Sequence, residues 1–192
     1  TEIYTLSLHD ALPISSARKV LAAKNRLGLL LNRTVDIARI SDILASPQSR
    51  TLAQEIADRS ITVAKDEQQL LPVDPTLYPR IFSLALTPDL ESSPASIFQA
   101  EMRKRFPGAR MLWANARISD DLMKEVEKAI AESDVIVCAT LIRLVSGQNT
   151  SPLPPAQRIL FDKLMASRKP LIWVSFGNPY VFRLIPQVGT YL

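Results

Sequence analysis

Two polar segments hold the side chains best able to do chemistry. The first runs Ile142-Arg143-Leu144-Val145-Ser146-Gly147-Gln148-Asn149-Thr150-Ser151, after an apolar run and before a proline pair. It is long for a strand-to-helix connection, which suits a loop that faces a cleft. Arg143 opens it, and its planar guanidinium can offer several donors to a polar substituent or a carboxylate. The alternative is a surface arginine whose stem covers apolar neighbours. The second segment runs Ser175-Phe176-Gly177-Asn178-Pro179-Tyr180. Gly177 permits a tight turn and Pro179 fits the first turn of a helix, so an ordinary strand-to-helix turn is the better account of it. Arg143, Ser146 and Asn178 are the candidate substrate-binding residues.

The usual catalytic constellations are missing. There is no G-x-G-x-x-G after the first strand signal, no G-x-x-x-x-G-K-[ST], and no G-x-S-x-G elbow. The acidic pairs Asp120-Asp121 and Asp66-Glu67 fit a helix start and a turn better than acid–base work. One cysteine, Cys138, lies in an apolar run and reads as a buried small hydrophobe. With one cysteine and no carboxylate cluster, no metal site is assigned. No catalytic residue and no cofactor are assigned either.

Thr1 to Ile14 read TEIYTLSLHDALPI, which corresponds codon for codon to a translated short-read sequencing adapter. These residues are expected to be an artifact and are set aside from fold reasoning, as a tag would be. His9, the only histidine, lies among them. Residues 15–192 therefore supply no histidine base, ligand or triad member.

The 192 residues are 47% hydrophobic and 22% charged, with mean hydropathy +0.07. This is the composition of a globular chain with one ordinary core. Apolar stretches such as Leu27–Leu31 and Val135–Leu141 are too short to span a bilayer, and no export signal is visible. Compartment and oligomeric state stay open. The net charge of +4 is spread out, apart from Arg103-Lys104-Arg105. That cluster reads as a cationic helix end and not as a nucleic-acid patch.

The elements that must carry these segments follow from pattern. Helices are expected over Ser16–Leu29, from Ser46-Pro47 to about Arg59, from Ser93-Pro94 to Phe106, after Ser119, and from Pro154-Pro155 to Arg168. The helix after Ser46 would bury Leu52, Ala53, Ile56 and Ala57. Ile61-Thr62-Val63 is a short strand signal. Ile81–Leu86, Ala109–Trp113, Asp134–Leu141 and Leu171–Phe176 are apolar runs of strand length, and 189–192 begins a fifth. Strands apolar throughout and alternating with helices predict a parallel sheet buried on both faces. The fold class is α/β, a doubly wound, mostly parallel αβα sandwich with a helical lead-in. Residues 15–77 form the lead-in and 78–192 the sandwich.

Several segments resemble family-3 glycoside hydrolases. Ala17-Arg-Lys-Val-Leu-Ala-Ala-Lys-Asn-Arg-Leu-Gly-Leu29 is similar to the helix ending that family's barrel. Ala53-Gln-Glu-Ile-Ala-Asp-Arg-Ser-Ile-Thr-Val63 with Leu70-Leu-Pro72 resembles the entry into its second domain. Asp134-Val-Ile-Val137, Leu153-Pro154 with Gln157, and Lys169-Pro170 through Val174-Ser-Phe-Gly-Asn-Pro-Tyr180 resemble that domain's later strands.

The resemblance implies a piece of a longer enzyme: the end of a (β/α)₈ barrel, then a truncated α/β domain. The nucleophilic Asp would lie in a preceding barrel. Glucosidase-like members draw an acid/base Glu from the second domain, whereas Leu141–Phe161 here holds no Asp or Glu. N-acetylglucosaminidase-like members use a barrel His–Asp pair instead, and the resemblance favours that subgroup. It implies retaining hydrolysis of a β-linked N-acetylhexosamine, with a carbohydrate partner held through the barrel and no nucleic-acid or membrane partner. A glucosidase-like member, a flavodoxin-like binding module and a purely structural domain remain as alternatives.

Overall fold

A computed structural model describes residues 3–44, 46–87, 93–142 and 153–192. The chain divides into two compact units, Thr1–Ser60 and Ile61–Leu192.

The first unit is helical. α1 (Ile3–Arg26) runs through Pro13 and so joins the adapter-like residues to the expected helix. It ends earlier than Leu29, because Gly28 turns the chain at φ +70° and Leu29 N–H donates back to the Lys24 carbonyl at 2.9 Å. A 3-10 turn (Ile37–Arg39) is capped by Asp36, whose carboxylate accepts from Ala38 N–H at 3.0 Å, and leads into α2 (Ile40–Ile43). α3 (Pro47–Ser60) starts where Ser46-Pro47 predicts, with Ser46 Oγ accepting from Ser49 N–H at 3.2 Å. Its expected burial does not occur. Leu52 and Ile56 stay 57% and 60% exposed, because within this unit nothing packs over that face.

The second unit is a six-stranded sheet in the order β1-β6-β5-β4-β2-β3. Its strands are β1 (Lys65–Asp66), β2 (Ile81–Leu86), β3 (Arg110–Ala114), β4 (Val135–Leu141), β5 (Leu171–Phe176) and β6 (Thr190–Tyr191). The pairs β2–β3, β2–β4, β4–β5 and β5–β6 are parallel, as the uniformly apolar runs require, and only β1–β6 is antiparallel. The first strand forms at Lys65–Asp66 and not at Ile61–Val63. Ala64 N–H and Glu67 N–H reach the Tyr191 and Gly189 carbonyls beyond the ends of this pairing. The sheet unit thus takes in residues 61–77, which sequence pattern groups with the lead-in.

Helices cover both faces. α5 (Asp120–Glu132) and α6 (Pro155–Ala166) press Val126, Ala129, Ile130, Leu160, Phe161 and Leu164 onto the face made by Phe82, Leu84, Ile136, Cys138 and Trp173. α4 (Ser93–Arg105) brings Phe98 and Met102 to the other face, over Ile81, Val135, Val137 and Ile172. Ser119 Oγ accepts from Leu122 N–H at 3.2 Å and starts α5, with Asp120 and Asp121 in its first turn. Lys169 finishes α5, donating to the Ala131 carbonyl at 2.7 Å and to the Ser133 carbonyl. Ile97, beside Phe98 on α4, is 69% exposed.

Two carboxylates secure the ends of the sheet. Asp66 accepts from Leu70 N–H at 2.9 Å, Leu71 N–H at 3.3 Å and the Thr190 hydroxyl at 2.8 Å. Burial pushes its pKa up, but those hydrogen bonds together outweigh it and hold the carboxyl below the ordinary 3.8. Asp134 pairs with the Arg80 guanidinium and lies below 3.8 for that reason, against a smaller opposing effect of burial. A carboxyl with a lowered folded pKa stabilises the fold above its unfolded value, and that contribution is lost as pH falls through the folded value. Urea midpoints are therefore expected to fall as pH drops below about 3.8, and Asp66→Asn should flatten that dependence. An unchanged slope in the variant contradicts the role of Asp66.

Candidate functional site

In open parallel sheets, ligands bind outside the carboxyl ends of the strands, where the strand order reverses. The chain goes from β2 to its neighbour β3, then crosses back to place β4 on the other side of β2. The reversal therefore lies between β2 and β4, and the crevice opens beyond Thr87 and Ile142.

Thr87 is fixed from three directions. Its N–H donates to the Ala114 carbonyl at 3.0 Å, its hydroxyl accepts from Trp113 Nε1 at 3.0 Å, and its carbonyl accepts from Gln157 Nε2 at 2.6 Å. Gln157 is 1% exposed on the first turn of α6. It thus ties the exit of β2 to the helix that follows the long polar segment. Gln157→Leu removes this bond and should lower stability by about 0.5–1.5 kcal/mol, read by thermal unfolding. An unaltered midpoint would show that this carbonyl finds another donor.

On the next strand, the buried Thr140 hydroxyl accepts from Trp173 Nε1 at 3.1 Å and donates to the Val174 carbonyl at 3.4 Å. β5 leaves through Gly177 at φ +101°, lying so close to β4 that an added Cβ would meet the Ile142 carbonyl oxygen at 2.1 Å. Asn178 is 3% exposed. Its side-chain oxygen accepts from Tyr180 N–H at 2.9 Å and starts the 3-10 turn Pro179–Leu184, while its carbonyl accepts from Ser175 Oγ at 2.9 Å.

Of the first segment only Ile142 is described, and its carbonyl packs against Gly177 of the second. Arg143 and Ser146 themselves lie outside the described residues. Sequence reading passed over the exit of β2, whose continuation carries Asp89 and Glu91, also outside the described residues. The fixation of Thr87 by Trp113 and Gln157 leaves no local signal, because its partners are 26 and 70 residues away.

Chemically, the described rim offers neutral hydrogen-bonding groups: threonine, tryptophan, glutamine and asparagine. These position or bind and do not transfer protons. Cys138 is sealed in the core, and burial pushes its thiol pKa upward, away from nucleophilic use. Among the described residues no cluster of His, Cys, Asp and Glu could hold a metal, and no helix is long and apolar enough to cross a membrane.

No family model matches the sequence. A curated relative, the beta-N-acetylglucosaminidase/beta-glucosidase of Cellulomonas fimi, is 27% identical over 90% of this chain and 32% of its own length. A solved fungal multi-domain GH3 beta-N-acetylglucosaminidase superposes with TM-score 0.61 at 25% identity, covering 82% of this chain and 16% of that one. The chain is similar to family-3 glycoside hydrolases. Its sheet unit corresponds to the family-3 C-terminal α/β domain. A solved beta-glucoside phosphorylase, BglX, superposes with TM-score 0.63 at 26% identity, over 88% of this chain and 30% of that one. The chain thus spans about a third of its curated family-3 relative.

Within that family frame, the segments that carried the resemblance prove to be fold-determining. Leu70 joins the core, Lys169 caps α5, Gln157 ties α6 to β2, and Gly177 admits β5 against β4.

Proposed function

We propose that the chain is part of a retaining glycosidase that acts on β-linked N-acetylhexosamine. The observation that carries this reading is the likeness to a beta-N-acetylglucosaminidase/beta-glucosidase and to a fungal beta-N-acetylglucosaminidase. The residue inventory supports it, because Leu141–Phe161 contains no Asp or Glu and the described rim has no proton-transfer group. Nucleophile and acid/base would then come from the remainder of the enzyme. Residues 15–60 would be the end of its barrel, and their exposed Leu21, Leu27, Leu52 and Ile56 would be covered there. Arg143, Ser146 and Asn178 would border the sugar from the carboxyl edge of the sheet.

The test compares chromogenic β-glycosides with the full-length enzyme and with this chain alone. The full enzyme should prefer the N-acetylglucosaminide to the glucoside, and this chain should turn over neither. Turnover by the chain itself, or preference for the glucoside, overturns the reading. Arg143→Ala in the full enzyme should lower kcat/KM about ten- to a hundredfold, the loss expected for a charged hydrogen bond; unchanged kinetics return Arg143 to the surface. The likeness to a beta-glucoside phosphorylase favours one second reading, transfer to phosphate. In that case inorganic phosphate would convert the product from free sugar to sugar 1-phosphate.

A further inference from the structure

A cavity of about 300 Å³ lies at the amino ends of the strands, the opposite end of the sheet from Thr87 and Ile142, between the start of β5, the approach to β6 and the end of α6. Its apolar surface comes from Leu164, Leu171 and Val188. Its polar rim carries Glu67, which pairs with Lys65 at 3.1 Å, Lys169, whose ammonium caps α5, and three further side chains, Gln68, Gln187 and Arg168. These last three are solvent-exposed and make no hydrogen bond or ion pair to the protein among the described residues, so two carboxamides and a guanidinium border one hollow with donors free to exchange water for a ligand.

The backbone around it is also unusual. Gln69 at φ 51° and Arg168 at φ 55° are the two non-glycine residues with positive φ among the described residues. Arg168 lines the cavity and Gln69 follows Gln68 at its edge. Arg168 occupies the position after a helix where glycine or asparagine is the unstrained choice. Residues kept in such conformations gather where a ligand is held.

We propose that this cavity binds a pyranose ring. An apolar floor fits the C–H face of a sugar, and carboxamides both donate to and accept from hydroxyls, which a simple anion site would not require. The guanidinium adds a planar fork for two neighbouring oxygens. The volume is that of a small-molecule site, about 300 Å³ at the low end of the usual range.

The experiment is a titration of this chain with cellobiose and with N,N′-diacetylchitobiose, followed by amide chemical shifts. Saturable shifts are expected at Gln68, Arg168 and Gln187. Gln187→Ala should weaken binding about tenfold, the loss of one to two neutral hydrogen bonds. Arg168→Gly separates ligand holding from chain geometry: it relieves the positive φ, so the fold should gain thermal stability while the sugar binds about tenfold more weakly. The proposal is overturned if neither disaccharide gives saturable shifts, or if both variants bind as the parent chain does. Because binding is read on this chain directly, its outcome is independent of which glycoside the full enzyme cleaves.

Discussion

Gly177→Ala is expected to destabilise the sheet unit by roughly 2–5 kcal/mol, the sum of a positive-φ cost of about 1–2 and an overpacking cost of about 1–3. Gly177 sits at φ +101°, which an L side chain rarely adopts. The added methyl would also lie 2.1 Å from the Ile142 carbonyl oxygen, and that obstacle is backbone, not a side chain that could swing aside. Relief would require parting β4 from β5 where Ile142 N–H donates to the Phe176 carbonyl at 3.1 Å. Because that junction is the rim of the crevice, the proposed glycosidase should lose activity along with stability. Urea unfolding of the chain measures the first effect. A midpoint within experimental error of the parent would mean that the two strands can separate freely there.

Trp173→Ala should cost about 3–5 kcal/mol, the range for removing a buried large aromatic. Trp173 is fully buried in β5, meets Phe161 of α6 edge-on with ring centroids 5.6 Å apart, and donates its indole N–H to Thr140. The substitution removes packing between sheet and helix and one hydrogen bond in the same step. Trp173→Phe keeps most of the volume and loses the bond, so it should cost about 1 kcal/mol plus a small packing defect. Thermal unfolding of the two variants side by side separates packing from hydrogen bonding. Equal losses would show that the Thr140 bond, and not the ring, carries the effect.

The parallel core was legible because its signal is local. Val135–Leu141 and Ile81–Leu86 are apolar at every position or nearly so, which only a strand covered on both faces requires. Caps were legible for the same reason: Ser119 and Ser46-Pro47 announce helices within four residues. Pairing across long separations was not legible. β1 is defined by β6, and nothing in Lys65-Asp66 marks it as a strand more strongly than Ile61-Thr62-Val63. Gln157 and Thr87 belong to a polar contact in an apolar setting, invisible to any periodicity. Burial of α3 was misread because an amphipathic pattern reports that a face must be covered, not that the cover is in the same unit.

The middle position of β6 also sets an order of events during synthesis. β1 and β5 have no contact of their own in the sheet order and are joined only through Thr190–Tyr191. The flanking bonds from Leu192 N–H to the Trp173 carbonyl and from Ser175 N–H to the Leu192 carbonyl fall in the same place. Asp66 waits for Thr190, 124 residues later. A ribosome adding roughly 5–20 residues per second would expose the first strand for several seconds before its partner could leave the exit tunnel. Through that interval β2, β3, β4 and β5 can already assemble, but the edge of β5 stays open to any other extended chain nearby. The nascent protein is thus most prone to pairing with its neighbours just before β6 arrives.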